Sequence, residues 1–237
     1  MSSPTPSPSP TPANPGASDA PATDGALTPL PPAHTSPIRA VLLDADGVLQ
    51  LIGTPWIVAL DQGGGPGFAK ELLAGEQAAL SGQESLSSVL TRLRHKLRIP
   101  HSTEELMAIW WRATPDPVAW ALVRELRSLG YLTVLATNQQ WERRAWMSER
   151  LGYKGLCDVD AYSCDLRAAK PDPEYFLRVL RRIGIPVEEA ATALFVDDNA
   201  ENIAAAQALG ISTIHHPVDA GGAVLRTELL EALAPKD

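Results

Sequence analysis

The chain has 237 residues, of which 45% are hydrophobic, enough for one large or two small domains with a buried core. Its 20 basic and 28 acidic residues give a formal net charge of −8, and the basic residues form no long cluster, which argues against nucleic acid as a partner. No segment approaches the roughly 18 apolar residues that cross a bilayer, and the N-terminal residues lack the apolar stretch of a secretory signal. We therefore expect a cytoplasmic protein, monomeric or weakly homodimeric, with no membrane partner.

The first 36 residues differ in composition from the rest of the chain. They are dominated by Pro, Ser, Thr, Ala and Gly, with almost no apolar side chain larger than alanine. Such a segment cannot bury enough apolar surface to offset the conformational entropy that is lost on folding. We predict that residues 1–36 form a disordered tail.

From residue 38 onward, short β-branched and apolar runs alternate with helical patterns. The predicted strands cover residues 38–43, 131–136, a short stretch around Ser163, 192–196 and 211–214. Each helix between them begins at a capping residue and ends at a glycine. The three predicted helices run from Asp116-Pro117 to Gly130, from Asp172-Pro173 to Gly184, and from Asn199 to Gly210. This alternation predicts an α/β fold with a Rossmann-like, doubly wound parallel sheet.

One segment, residues 50–114, interrupts the alternation with helical patterns and no convincing strand. The patterns cover residues 68–80, residues 86–97, and a stretch that begins at the capping sequence Ser102-Thr103-Glu104-Glu105 and continues to Trp111. The segment leaves the sheet after the first strand and returns at Asp116, so it should lie over the carboxyl end of the sheet. We predict a core made of residues 37–49 and 115–237, with residues 50–114 as an inserted α-helical cap.

Two carboxylates follow the first predicted strand, Asp44 and Asp46, with Gly47 directly after them. Because successive strand residues point to opposite faces, side chains two positions apart can converge on one site, and the glycine allows the chain to turn. Open α/β sheets bind ligands at this end of their strands. An ordinary Asp-rich turn is the alternative for this segment alone.

Polar side chains also occur at or beside the ends of the other predicted strands. Thr137-Asn138 follows the second strand, Lys170 lies in a loop before Pro171, and Asp197-Asp198 follows the strand at 192–196, with Asn202 one helical turn later. Each position alone could be a helix cap, a turn or a surface residue. Four such positions at one edge of a sheet favour an active site.

The segments DADGVL, LATN, AKPDPEYF and FVDDNAEN resemble, in this order, the four motifs of the haloacid dehalogenase-like (HAD) superfamily. The resemblance extends from residue 38 to about residue 216, with a helical insertion of about 65 residues where the family has its small α-helical cap. Within the family, the sequence is most similar to the phosphatase branch that includes small sugar-phosphate phosphatases. Val48 stands where many members carry threonine, although others carry valine. The resemblance implies hydrolysis of a small phosphorylated metabolite.

The resemblance also implies roles for the carboxylates. Asp44 would be the nucleophile that forms an aspartyl-phosphate, and Asp46 would protonate the leaving oxygen and then activate water, for which it must hold a proton. Mg²⁺ would be the cofactor, held by the Asp44 carboxylate, the backbone carbonyl of Asp46 and the Asp198 carboxylate. An anionic nucleophile that meets an anionic phosphoryl group needs this neutralisation of charge.

The remaining motif residues would support that chemistry. Thr137 and the backbone N–H of Asn138, at a helix start, would donate hydrogen bonds to the phosphoryl oxygens, and Lys170 would neutralise the charge on the nucleophile. Asp197 and Asn202 would orient Lys170 or metal-bound water.

Three other functions share parts of this pattern. A phosphomutase shares every core residue and differs only in whether the cap excludes water. A 2-haloacid dehalogenase of the same fold needs neither metal nor an acid for an oxygen leaving group, so Asp46 and the Asp197-Asp198 pair argue against it. A phosphoacceptor receiver module lacks the helical insertion and has its acidic pair before the acceptor aspartate. The substrate itself is not identified by the sequence.

Overall fold

The computed structural model of the protein describes residues 28–235. Its strands are β1 (Ala40–Leu43), β2 (Gln50–Leu51), β3 (Thr114–Pro115), β4 (Leu132–Thr137), β5 (Val159–Tyr162), β6 (Ala193–Asp197) and β7 (Ser212–His215). Five of them form a parallel sheet in the order β5-β4-β1-β6-β7. The chain thus proceeds in both directions from the central strand β1, and the predicted α/β, Rossmann-like doubly wound fold is confirmed.

The described α-helices are α1 (Trp56–Gly64), α2 (Phe68–Gly75), α3 (Gln77–Leu80), α4 (Leu86–Leu97), α5 (Thr103–Met107), α6 (Pro117–Ser128), α7 (Trp141–Trp146), α8 (Ser163–Leu166), α9 (Pro173–Arg182), α10 (Ala200–Ala208) and α11 (Gly222–Ala232). Short 3₁₀ helices occur at Ala33–Thr35, Ala108–Trp110 and Val187–Thr192, and a π-helical turn, Met147–Leu151, continues α7. The side chains of Asp116, Asp172 and Asn199 cap α6, α9 and α10 as the sequence predicts. Within residues 28–235, no helix combines the length and the apolar character that a membrane span requires.

The sheet is covered on both faces, as parallel sheets generally are. Val41 and Leu43 of β1 pack in an apolar cluster with α6 and α11, whereas Ala40 and Leu42 pack on the opposite face with α9 and α10. All four residues have no exposed area. Their burial fixes the end of β1 and therefore the position of the residue that follows it, Asp44.

The helices between β2 and β3 form an apolar cluster of their own. It contains side chains from α1 to α5 and from the 3₁₀ helix at Ala108–Trp110. β2 and β3 pair antiparallel, with Gln50 opposite Pro115, and join this helical segment to the sheet. The prediction that residues 50–114 contain no strand is therefore wrong at both ends, because a pairing of two residues is too short for a periodic sequence pattern. The sequence also gave no signal for α1.

The third predicted strand lies earlier in the chain than expected. β5 covers Val159–Tyr162, and Ser163, the predicted position, is the first residue of α8. The Ser163 hydroxyl is buried and accepts a hydrogen bond of 2.9 Å from the backbone N–H of Gln139. Short apolar runs leave strand and helix ambiguous in sequence, and here the shift amounts to a few residues.

The N-terminal segment that precedes β1 contacts the core. Leu30 is only 2% exposed, the Tyr131 hydroxyl donates a hydrogen bond of 2.9 Å to the Pro31 carbonyl, and Arg226 donates one to the Thr28 carbonyl. The predicted disordered tail, residues 1–36, is therefore too long at its C-terminal end, because Leu30 is an apolar anchor that the overall composition obscures. The remainder of the predicted tail, residues 1–27, lies outside the described residues.

Candidate active site

Lys170 lies at the centre of a buried cluster at the carboxyl ends of the parallel strands. Its ammonium group is 3.0 Å from an Asp44 carboxylate oxygen and 2.5 Å from one of Asp197, and it donates a hydrogen bond of 2.9 Å to the Ala136 carbonyl. The lysine is 4% exposed and Asp197 is fully buried. The ends of β1, β4 and β6 thus converge on one cation.

Both carboxylate oxygens of Asp197 have hydrogen-bond partners. One of its oxygens contacts Lys170, while the other accepts hydrogen bonds from the Asn199 backbone N–H at 2.8 Å and from the Asn202 side chain at 3.0 Å. Asp197 therefore contacts Lys170 directly, and Asn202 contacts Asp197. Asp198, the next residue, is partly exposed and carries none of these bonds.

Three carboxylates share this small region. Asp44, Asp197 and Asp198 can each place one oxygen within 4.8 Å of the others. Burial raises the pKa of Asp44 to about 7, with Lys170 opposing the shift and the nearby carboxylates adding to it. Burial and the charge of Asp197 raise the pKa of Asp198 to about 6. A single lysine does not offset this much negative charge.

The charge state of the lysine is well defined. Burial would lower the pKa of Lys170, but the carboxylates of Asp197 and Asp44 outweigh burial, so the pKa is raised and the ammonium form is retained. Because both oxygens of Asp197 are engaged by this contact and by the amides, Asp44 and Asp198 are the carboxylates of this group with fewer competing contacts for a divalent cation.

Gly47 is required by the geometry of the turn after β1. Its φ of 79° lies in the left-handed region, and a Cβ at this position would lie 2.6 Å from a carboxylate oxygen of Asp198. The backbone N–H of Gly47 donates a hydrogen bond of 2.9 Å to the Gln50 carbonyl, which closes the turn. A larger residue here would displace Asp198.

Asp46 lies beside this cluster, and its carboxylate is held by three side chains. Its Oδ1 accepts hydrogen bonds of 2.5 Å from Gln50 and 2.8 Å from Arg143, and its Oδ2 is 3.4 Å from the Gln139 amide. Arg143 is 1% exposed, and its guanidinium also lies over the Trp56 ring, with a distance of 4.5 Å to the ring centroid. Arg143 therefore links the Asp46 carboxylate to Trp56, the first residue of α1.

Thr137 and Asn138 end β4 next to these groups. The Thr137 hydroxyl is 1% exposed and lies 3.1 Å from the Gln139 amide nitrogen. The Asn138 side chain pairs with the backbone N–H and carbonyl of Lys170, at 2.9 and 2.8 Å. The expectation that Asn138 stands at a helix start is wrong, because α7 begins at Trp141.

The structure thus brings every predicted site residue to one edge of the sheet, and it adds residues that the sequence did not identify. These are Gln50, Gln139 and Arg143, which surround the Asp46 carboxylate. Gln139 could have been suspected because it follows the Thr137-Asn138 motif directly. Arg143 gives no such signal, since it lies 97 residues away from Asp46 along the chain.

Comparison with known proteins gives a consistent fold and family. The family described as haloacid dehalogenase-like hydrolase matches residues 38–210. The sesquiterpene phosphatase astK of Aspergillus oryzae is 34% identical over 101 residues, which are 43% of this chain and 50% of that protein. The chain therefore spans about half the length of this relative.

Solved structures resemble about three quarters of this chain at lower identity. A HAD family enzyme from Bacteroides thetaiotaomicron in a magnesium complex has a TM-score of 0.65 at 23% identity, over 77% of this chain and 94% of that one. The same enzyme has a structure with magnesium and inorganic phosphate, with a TM-score of 0.62 at 22% identity, over 75% of this chain and 93% of that one. The L-2-haloacid dehalogenase of Xanthobacter autotrophicus has a TM-score of 0.54 at 22% identity, over 74% and 76% of the two chains. At these identities the likeness concerns the fold.

Proposed function

Because this chain belongs to the haloacid dehalogenase-like hydrolase family, we propose that it is a Mg²⁺-dependent phosphatase that hydrolyses small phosphate monoesters through an aspartyl-phosphate on Asp44. The observation that carries this proposal is the cluster of Asp44, Lys170 and Asp198 at the carboxyl ends of β1 and β6. The partial relative that is named a phosphatase, and the Bacteroides structure with magnesium and phosphate, support the same class of reaction.

The donor set fits a hard divalent cation. Asp44 and Asp198 offer carboxylate oxygens, and their pKa values are raised where no cation is present. Both oxygens of Asp197 already have hydrogen-bond partners. The Asp46 carbonyl would be a third ligand. All are oxygen donors, which Mg²⁺ prefers, and a bound Mg²⁺ would supply neutralisation of charge on the phosphoryl group.

The first step transfers the phosphoryl group to the protein. An Asp44 carboxylate oxygen attacks phosphorus, the bond from phosphorus to the ester oxygen breaks, and Asp46 gives the leaving oxygen its proton. Gln50 and Arg143 both donate to Oδ1 of Asp46, so we assign that proton to Oδ2, which faces Gln139. Lys170 holds Asp44 in position and offsets its charge.

The second step releases phosphate. Asp46, now ionised, accepts a proton from water as the water attacks the aspartyl-phosphate, which regenerates the Asp44 carboxylate. The Thr137 hydroxyl, at the end of β4, would donate to a phosphoryl oxygen during both steps. Asp197 and Asn202 would keep Lys170 in place through the contacts described above. We further propose that residues 50–114 act as the cap of the small α-helical type, over a core of residues 37–49 and 115–237.

The proposal is tested by Asp44→Asn with Asp172→Asn as the matched control. Asp172 is an exposed helix cap, and asparagine caps a helix equally well, so that variant should retain wild-type turnover. Asp44→Asn should lower kcat for p-nitrophenyl phosphate by at least about a thousandfold, as losses of a nucleophile do, without loss of the fold by circular dichroism. Substantial turnover in a folded Asp44→Asn protein would exclude the nucleophile role.

The metal and the competing reactions are tested with the wild-type protein. Excess EDTA should abolish turnover and added Mg²⁺ should restore it, since Asp44 and Asp198 bring like charges together. Full activity in EDTA, together with halide release from a 2-haloacid, would favour a dehalogenase. Phosphoryl transfer to a second sugar hydroxyl in preference to water would instead identify a phosphomutase.

A further inference from the structure

A cavity of about 310 Å³ lies between the cap helices and the loops that follow β4 and β6. Six of its lining side chains are apolar or aromatic and come from the cap: Trp56, Leu60, Leu72, Leu73, Leu80 and Trp110. On the core side it is lined by Gln139, whose amide contacts both Thr137 and Asp46. The cavity is therefore adjacent to the group that would protonate the leaving oxygen.

Most hydrogen-bonding atoms of the polar side chains on the core wall are already engaged. Asn138 is paired with the Lys170 backbone, and the side-chain oxygen of Asn199 accepts two hydrogen bonds from the first turn of α10. Gln139 donates to Thr137 and Asp46. A substrate hydroxyl placed against this wall would find few free partners.

The cap wall offers a single polar point. Glu76, at the junction of α2 and α3, is 8% exposed, and its carboxylate accepts a hydrogen bond of 2.8 Å from the Gln140 amide. The Gln140 side-chain oxygen is buried and has no hydrogen-bond partner among the described residues. This pair could serve one hydrogen-bonding group of a ligand, whereas a sugar would bring several hydroxyls against the six apolar side chains of the cap, where a polar group buried without a partner is unfavourable.

We infer that the alcohol part of the substrate is a predominantly apolar chain with at most one hydrogen-bonding group, bound in this cavity, and that sugar phosphates are poor substrates. The inference rests on the proposed phosphatase function. A water molecule occupies about 30 Å³ of the liquid, so the cavity holds on the order of ten groups of that size, which corresponds to a chain of roughly ten carbons.

The test is a series of n-alkyl phosphates from ethyl to dodecyl, each below its critical micelle concentration, with glucose 6-phosphate and p-nitrophenyl phosphate as reference substrates. Phosphate release by the Mg²⁺-loaded wild-type protein should show kcat/KM rising by up to about fourfold per methylene, which is the factor for about 0.8 kcal/mol per buried CH₂, and levelling near ten carbons. Decyl phosphate should exceed glucose 6-phosphate by more than about a hundredfold.

Failure of this inference is distinguishable from failure of the proposed function. If p-nitrophenyl phosphate is hydrolysed but kcat/KM is independent of chain length, or glucose 6-phosphate is preferred to decyl phosphate, only the apolar-substrate inference is overturned. If none of the esters is hydrolysed with Mg²⁺, both are overturned.

A pair of matched variants locates the alkyl chain. Leu73 lines the cavity and is 50% exposed at its rim, so Leu73→Gln should fold, and it should lower kcat/KM for decyl phosphate by about tenfold relative to ethyl phosphate. Leu97, on α4 and outside the cavity, is 37% exposed, and Leu97→Gln should keep the wild-type dependence on chain length. Melting temperatures of both variants check the fold. A wild-type dependence in Leu73→Gln would place the alkyl chain elsewhere and overturn the assignment.

Discussion

Replacement of Glu76 by glutamine should remove a pH-dependent loss of stability. Glu76 is a buried carboxyl group in an otherwise apolar wall, and burial raises its pKa from 4.5 to about 7, with the Gln140 hydrogen bond opposing the shift. The folded protein therefore keeps the proton between pH 4.5 and 7, while the unfolded chain releases it. The stabilising contribution of the proton is fully present below pH 4.5 and is lost as the pH rises to about 7.

The magnitude follows from the two pKa values. Over the range in which only the unfolded chain has lost the proton, the free energy of unfolding falls by about 1.4 kcal/mol per pH unit. Integrated from pH 5 to pH 8 with pKa values of 4.5 and about 7, the loss due to Glu76 is roughly 2–3 kcal/mol. Glutamine has the same shape, can accept the Gln140 hydrogen bond, and does not titrate.

The assay is urea unfolding of wild type and Glu76→Gln at pH 5 and pH 8, in EDTA so that metal binding does not contribute. Asp44 and Asp198, whose pKa values are also raised, affect both proteins alike. The wild type should lose roughly 2–3 kcal/mol more than the variant between the two pH values, equivalent to a difference of roughly 5 to 10 °C in Tm. Exposed Glu188 supplies the control, Glu188→Gln, which should follow the wild type. Parallel pH profiles for wild type and Glu76→Gln would refute the reasoning.

Three further predictions follow from contacts in the core. Asp46→Ala should slow the first step, measured by rapid-quench kinetics, by about 10²–10⁴-fold for an alkyl phosphate. The loss should be much smaller for p-nitrophenyl phosphate, because its phenolate leaves without a proton. Equal slowing for both substrates would leave Asp46 a purely positioning role. Lys170→Met leaves Asp44 and Asp197 buried without a cation, and it should lower the free energy of unfolding by about 3–5 kcal/mol in urea titrations. An unchanged midpoint would contradict the role of the lysine in neutralising these buried carboxylates. Deletion of residues 1–36 should lower Tm relative to deletion of residues 1–27, because burial of the Leu30 side chain stabilises the fold by about 1.5–3 kcal/mol. Equal Tm values would show that this contact is dispensable.

The sequence determined the fold class because its signals are local. Asp116, Asp172 and Asn199 cap helices within three residues of themselves, and the central strands β1 and β6 are apolar runs up to the site residues. Such signals give the alternation of strand and helix, and alternation of this kind has a parallel sheet as its stable arrangement. The pairing of β2 with β3 and the position of Leu30 are not local, and both were missed.

The sequence also placed the candidate site, for a reason that lies in the topology. Polar residues that directly follow parallel strands must meet at one edge, so Asp44, Thr137 and Asp197 could be grouped before any contact was known. Lys170 lies in a loop and was assigned by resemblance to the family motifs, and its contacts with Asp44 and Asp197 agree with that assignment.

Only the tertiary structure decided what surrounds these groups. The salt bridge of Arg143 with Asp46 spans 97 residues of sequence, and the hydrogen bond of Gln140 to Glu76 spans 64. The packing of core elements against one another sets the first contact, and the packing of the cap helices against the core sets the second, together with the apolar cavity. No periodicity within either segment encodes them. Local propensities and strand ends thus specify where chemistry can occur, whereas the contacts of Asp46 and the lining of the cavity depend on side chains that meet only when distant elements pack together.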